Sequence, residues 1–203
     1  MDRVVSELAA RARRLSLVLS DCDGVLTDGA VYVSARGEAL RRFSLRDGMG
    51  VERLREAGVE TAILTRERSP IVARRAEKLA VRLFEGVADK RRELPRILGE
   101  LRASAGCVAY IGDDLNDLGV IEALALEGLT GAPCDAEPSV LGAVHYRCAA
   151  RGGRGAFREF AEWLLRLRQA PASPALALAA GAVVSSAGAA VAGGRDRERE
   201  GER

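Results

Sequence analysis

Short apolar runs bounded by polar residues alternate with longer charged stretches of helical period through the first two thirds of the chain. Residues 15–20, 61–64, 81–84 and 107–111 read as buried strands. Between and around them, residues 2–14, 47–57, 88–102, 114–124 and 154–168 read as helices, and Ser69-Pro70 opens another as N-cap and first helical residue. Val4, Val5, Leu8 and Ala9 form the apolar side of the first helix. Phe157, Phe160, Trp163 and Leu164 form that of the last. Pro95 predicts a kink or a break in its helix. The segments flanking Ala35-Arg36-Gly37 read as a hairpin. Strands alternating with helices predict an α/β fold, a doubly wound parallel sheet. In such sheets ligands bind beyond the carboxyl ends of the strands.

Bulk properties narrow the function classes. The 203 residues carry 31 basic and 29 acidic side chains, a net charge of +2, so no strong field points to nucleic acid or an anionic membrane. The four cysteines form no CxxC pair and there is one histidine, His145, which argues against structural zinc. Cys22 and Cys107 lie in apolar runs and read as small buried hydrophobes, consistent with a reducing cytoplasm. The charged N-terminus lacks the apolar stretch of a secretory signal. Residues 169–194 are uncharged and rich in Ala, Gly and Ser. Alanine and glycine contribute little insertion energy, so residues 170–203 read as a disordered tail, not a membrane anchor, after a domain at 1–169.

Four strand ends carry polar clusters. Asp21 and Asp23 alternate along extended chain and share a face, an arrangement that a cation between them explains. Thr65 offers a hydroxyl after the second strand. Lys90 offers an ammonium suited to phosphate. Asp113 and Asp114, with Asp117 one turn on, are hard oxygen ligands suited to Mg²⁺. Each cluster alone is commonly a turn, a helix cap or a solvated side chain. Their joint occurrence, each at or just beyond a strand end, points to one site.

DCDGVLTDG (residues 21–29), Thr65, Lys90 and IGDDLND (residues 111–117) resemble the four motifs of the haloacid dehalogenase superfamily. DGVLTDG, RRFSLRDGMG, GDDLND and RGGRGAFREF resemble, more narrowly, the 3-deoxy-D-manno-octulosonate 8-phosphate phosphatases and the related branch acting on nine-carbon ketodeoxy acid 9-phosphates. The resemblance spans residues 15–168. It implies a Rossmann-like core with a β-hairpin flap and a Mg²⁺-dependent phosphatase. Asp21 is then the nucleophile that forms an aspartyl-phosphate, and Asp23 the acid/base. Asp21, the carbonyl of Asp23 and Asp113 hold the metal, with Asp114 or Asp117 behind them. Thr65 and Lys90 hold the phosphoryl oxygens.

Asp21 and Thr65 are 44 positions apart, Thr65 and Lys90 only 25, so neither gap holds an ordinary cap domain. The resemblance implies that a homotetramer closes the site instead, with the glycine-rich residues 151–155 at its entrance. Arg46, Glu67, Arg75 and Lys78 are the candidate contacts to a sugar acid; Arg75 and Lys78 share a helical face. Glu67 replaces the arginine usual in octulosonate enzymes and favours the nine-carbon branch. Arg66 replaces a small residue and bears on the shape of the phosphate loop. Two other readings remain at this point. One is a phospho-acceptor receiver domain, against which the acid/base Asp23 speaks. The other is a catalytically weak module regulating or accompanying an acylneuraminate cytidylyltransferase.

Overall fold

In the computed structural model, which describes residues 2–170, the apolar runs become strands whose side chains alternate between two cores. The central strand β1 (Leu17–Ser20) sends Val18 to one face and Leu17 and Leu19 to the other. β4 (Glu60–Leu64) and β6 (Val108–Ile111) pair with it in parallel on either side. β5 (Arg82–Phe84) extends one edge and β7 (Leu129–Ala132) with β8 (Tyr146–Arg147) the other, giving a six-stranded parallel sheet in the order β5-β4-β1-β6-β7-β8. The strand order turns back at β1, so the loop beyond its carboxyl end faces a natural crevice. A separate antiparallel hairpin, β2 (Tyr32–Ser34) and β3 (Gly37–Leu40), follows β1.

One face is covered by α1 (Asp2–Arg14), α2 (Leu45–Glu56), α3 (Pro70–Leu79) and α7 (Ala156–Gln169), the other by α4 (Lys90–Glu100), α5 (Leu115–Ala125) and α6 (Pro138–Ala143). The α/β expectation and the absence of a cap domain hold across the described residues. α3 starts where Ser69 accepts the Val72 N–H, with Pro70 next, as its residues require. α4 passes through Pro95 without a break, so of the two expectations, kink or break, the break is corrected: the helix is continuous and lacks one N–H donor. Two buried-residue expectations also change. Val4 is exposed, and the buried side of α1 is Leu8, Ala9 and Ala12. Cys107 lies half-buried in a 3₁₀ turn ahead of β6, whereas Cys22 is buried.

The closing helix α7 is anchored in two ways. Phe160 stacks on Trp163 at 5.6 Å, and Trp163 on Tyr146 at 4.6 Å. Its first turn has no capping side chain of its own, and Asp47 of α2 accepts the N–H groups of Gly155 (3.3 Å) and Arg158 (3.0 Å) instead. Gly50 lets the two helices meet, since a Cβ there would lie 3.0 Å from the Arg158 backbone. No helix among the described residues is long and apolar enough to cross a membrane. The tail at 171–203 lies outside the described residues.

Candidate active site

The chain leaves β1 at Asp21, whose N–H still donates to Ile111 O across the sheet (2.9 Å). It then turns tightly, with the N–H groups of Leu26 and Thr27 both donating to Cys22 O. Gly24 has φ +78° at this turn, and a Cβ on it would collide with the Asp113 carboxylate at 1.9 Å. No other residue type fits between the two acid-bearing loops. Gly152 and Gly153 support the turn from behind, Gly153 N–H donating to Val25 O at 2.8 Å. The glycine-rich segment therefore backs the loop carrying Asp23 in the same chain.

Lys90 opens α4 and is buried between two carboxylates, 2.9 Å from Asp21 Oδ2 and 2.7 Å from Asp117 Oδ1. Asp117 has no free oxygen: its Oδ1 also accepts Tyr110 O–H (2.5 Å), and its Oδ2 accepts the N–H groups of Asp113 (2.9 Å) and Asp114 (3.2 Å). It acts as a brace that joins Lys90, β6 and the start of α5. Asp21 Oδ1 accepts the Cys22 N–H at 2.6 Å. Thr65, buried at the end of β4, accepts the Glu67 N–H at 3.2 Å. Asp21, Asp23, Gly24, Gly29, Thr65, Arg66, Glu67, Asp113, Asp114 and Asn116 line one cavity of about 230 Å³.

Negative charge exceeds positive charge here. Burial, then Asp117, raises the Asp21 carboxyl well above its ordinary range, against the pull of Lys90. Burial and Asp117 push Asp113 up to about 7. Burial lowers the proton affinity of Lys90, but Asp21 and Asp117 outweigh it and the net shift is upward. Carboxylate oxygens of Asp21, Asp113 and Asp117 lie within 4.8 Å of one another. Asp113 Oδ1 and Asp23 Oδ2 are buried with no hydrogen-bond partner. A hard divalent cation fits the oxygens of Asp21 and Asp113, with the engaged Asp117 behind them, and would satisfy both the excess charge and the bare Asp113 oxygen.

The 3-deoxy-D-manno-octulosonate 8-phosphate phosphatase KdsC of Yersinia pestis is 37% identical over 163 residues, 80% of this chain and 86% of the relative. The chain belongs to the 3-deoxy-D-manno-octulosonate 8-phosphate phosphatase family. A solved member of that family from Moraxella catarrhalis, in complex with magnesium, phosphate and KDO, has a TM-score of 0.74 at 30% identity, covering 80% of this chain and 92% of that one. The cobalt-bound enzyme of Haemophilus influenzae has a TM-score of 0.73 at 35% identity, covering 78% and 91%. No protein-family model matches the chain.

The structure brings together five residues singled out from the sequence, Asp21, Asp23, Thr65, Lys90 and Asp113, with Glu67 at the rim. Arg66 and Asp114 also line the cavity, Lys90 and Asp117 stand behind Asp21, and Arg46, Arg75 and Lys78 do not line it. Arg75 donates to Ser44 O (3.2 Å) and covers the Phe43 ring at 5.5 Å, bridging α3 to the start of α2. Lys78 is exposed on α3, and Arg46 is exposed at the first turn of α2 beside Gly155. The shared face expected for Arg75 and Lys78 is thus divided, Arg75 being turned inward onto an aromatic ring.

Sequence reading missed Arg41, which leaves the hairpin to bond Asp23 Oδ1 and Glu38 Oε1. It also missed Tyr110 as a partner of Asp117. The signal for Tyr110 was a hydroxyl within an apolar strand; Arg41 opens the RRFSLRDGMG motif, which did not disclose its partner.

Proposed function

We propose that this family member is a Mg²⁺-dependent phosphatase acting on a phosphorylated 3-deoxy-2-keto sugar acid through an aspartyl-phosphate. The observation that carries the reading is the buried Asp21 held by Lys90, with a second carboxylate, Asp23, two residues on and one of its oxygens free. Asp21 attacks phosphorus in line while Asp23 gives a proton to the departing sugar oxygen. Asp23 then takes a proton from water, which attacks the aspartyl-phosphate, releases phosphate and restores Asp21. Thr65 and Lys90 orient and neutralise the phosphoryl oxygens. Mg²⁺ held by Asp21, Asp113 and the Asp23 carbonyl supplies the charge neutralisation that lets a phosphate dianion approach carboxylates.

The relatives' names favour octulosonate 8-phosphate as substrate. Glu67 at the rim keeps a nine-carbon 9-phosphate as the second reading, because a carboxylate there accepts hydrogen bonds from sugar hydroxyls. A cavity of about 230 Å³ holds the phosphoryl group but is small for a whole sugar acid. A homotetramer that covers the mouth would complete it, and Arg46, Arg75 and Lys78 belong to recognition only in such an assembly.

Asp21→Asn is expected to lower kcat for Mg²⁺-dependent phosphate release by about 10³-fold or more. Chelating the metal should do the same to the parent protein. Retained activity in the variant sinks the covalent route. Steady-state rates on the eight-carbon and nine-carbon phosphates decide between the two substrates.

A further inference from the structure

Asp23 has two oxygens in different circumstances. Oδ1 accepts from the Arg41 guanidinium and from Thr27 Oγ1 at 3.3 Å; Oδ2 is buried and bare. Arg41 follows β3 directly, and its side chain is almost fully enclosed. Its Nε bonds Glu38 Oε1, and the same Glu38 oxygen accepts the hydroxyl of Ser69 at 3.0 Å. Ser69 is itself buried as the N-cap of α3. A line of bonds thus runs from a helix start on the core, through Glu38 and Arg41 of the hairpin, to one oxygen of Asp23.

A guanidinium has five donors in a rigid fork, so it can fix a carboxylate's rotation where an ammonium would only attract it. Enclosure makes the contact worth more than a surface pair. We propose that Arg41 is a positioning residue: by holding Oδ1 it leaves Oδ2 as the atom of Asp23 that exchanges protons with the leaving oxygen and then with water. The inference rests on the acid/base reading of Asp23. It gives the hairpin a second task, since the flap and the proton-transfer group are linked through one side chain.

The test uses the full chain with Mg²⁺ and two substrates. p-Nitrophenolate leaves phosphorus without needing a proton, whereas a sugar alkoxide needs one. Arg41→Ala should therefore release the first equivalent of p-nitrophenolate at the parent rate and then slow, because water attack on the aspartyl-phosphate still needs an oriented base. The expected record is a burst approaching one equivalent per site, followed by a steady state 10- to 100-fold below the parent. On the sugar-acid phosphate, kcat should fall by a similar factor while KM changes less than about threefold. Arg41→Lys should recover part of the loss.

Unchanged kcat, or a loss carried by KM alone, overturns the proposal. If Arg41→Ala does not fold, Glu38→Gln takes its place. That variant loosens the fork without removing it and should show the same burst with a several-fold slower steady state; no burst overturns the proposal equally. Asp23→Asn serves as the reference. If it shows no burst, the acid/base reading of Asp23 fails. If it does and the Arg41 variants do not, only the role of Arg41 fails.

Discussion

Arg66 is the single cation among the cavity-lining residues, and among the described residues no carboxylate pairs with it. The other charged groups in that wall, Asp21, Asp23, Glu67, Asp113 and Asp114, are all acids. A dianionic substrate entering it meets repulsion that Lys90, enclosed behind Asp21, only partly offsets. Arg66→Gly should accordingly raise KM for a sugar-acid phosphate by about 5- to 30-fold, the worth of about 1–2 kcal/mol for a charge-assisted contact, with kcat and melting temperature little changed. A KM within twofold of the parent would show that this arginine points away from bound substrate. Residues of this kind are legible in sequence when they lie at a strand end, as Asp21 and Thr65 do directly and Asp113 one residue further on, because the strand end dictates where they project. Asp117 was legible as part of the site, but its task was not. Its oxygens are consumed by Lys90, Tyr110 and two backbone N–H groups, partners that only the closed fold brings together. The task of Arg41 was hidden for the same reason, its partner lying 18 positions away across a hairpin.

At the scale of elements, apolar runs of four to six residues were readable as β1, β4 and β6, and a cap at Ser69 located α3. The secondary structure between 126 and 150 was not read. This stretch holds β7, with a glycine in its four residues, a six-residue α6 and a two-residue β8, each too short to show a period. These pieces are held by tertiary contacts instead. A Cβ at Gly131 would lie 2.5 Å from the Phe160 ring. Just before β8, His145 Nδ1 accepts the Thr130 N–H of β7 at 3.1 Å, while its own N–H donates to Thr130 Oγ1 at 3.2 Å. Nδ1 must then be unprotonated, and burial, helped by Arg11, drives this histidine down from 6.5 to about 4. Below 6.5 the unfolded chain binds a proton that the folded chain refuses, so stability is lost as pH falls from 6.5 towards 4. The loss is of order 3 kcal/mol in total. His145→Asn, which keeps an acceptor near Nδ1, should reduce the fall in unfolding free energy between pH 6.5 and 4.5 by about 2 kcal/mol, read from urea midpoints. An identical pH dependence in parent and variant would mean that the histidine titrates normally in the folded state.

For the molecule as a whole, alternation sufficed to read the fold class, because a parallel sheet covered on both faces imposes that pattern on any chain that forms it. What alternation could not convey is how the site is enclosed. Six of the nine large apolar side chains exposed among the described residues fall between positions 31 and 49: Val31, Tyr32, Val33 and Leu40 around the hairpin, Leu45 and Met49 on α2. Concentrated exposure of this kind marks a surface that meets another protein. The same hairpin carries Arg41 to Asp23, so whatever covers it lies close to the cavity mouth. Chemistry on a phosphate ester benefits from excluding water, and one chain leaves this cavity open to solvent. A second copy of the chain seated on the hairpin, as in the proposed homotetramer, would meet both needs. Val33, three-quarters exposed, has little to contribute to the fold of the single chain. Replacing it by Asp should leave the circular dichroism spectrum intact yet weaken assembly by a factor of about 30 or more, as expected for a central interface residue worth about 2 kcal/mol. Sedimentation at micromolar protein should then find smaller species, and activity per chain should fall with dilution more steeply than in the parent. An assembly of unchanged size and activity would place the interface elsewhere and return the exposed hairpin to the substrate, as a flap that closes within one chain.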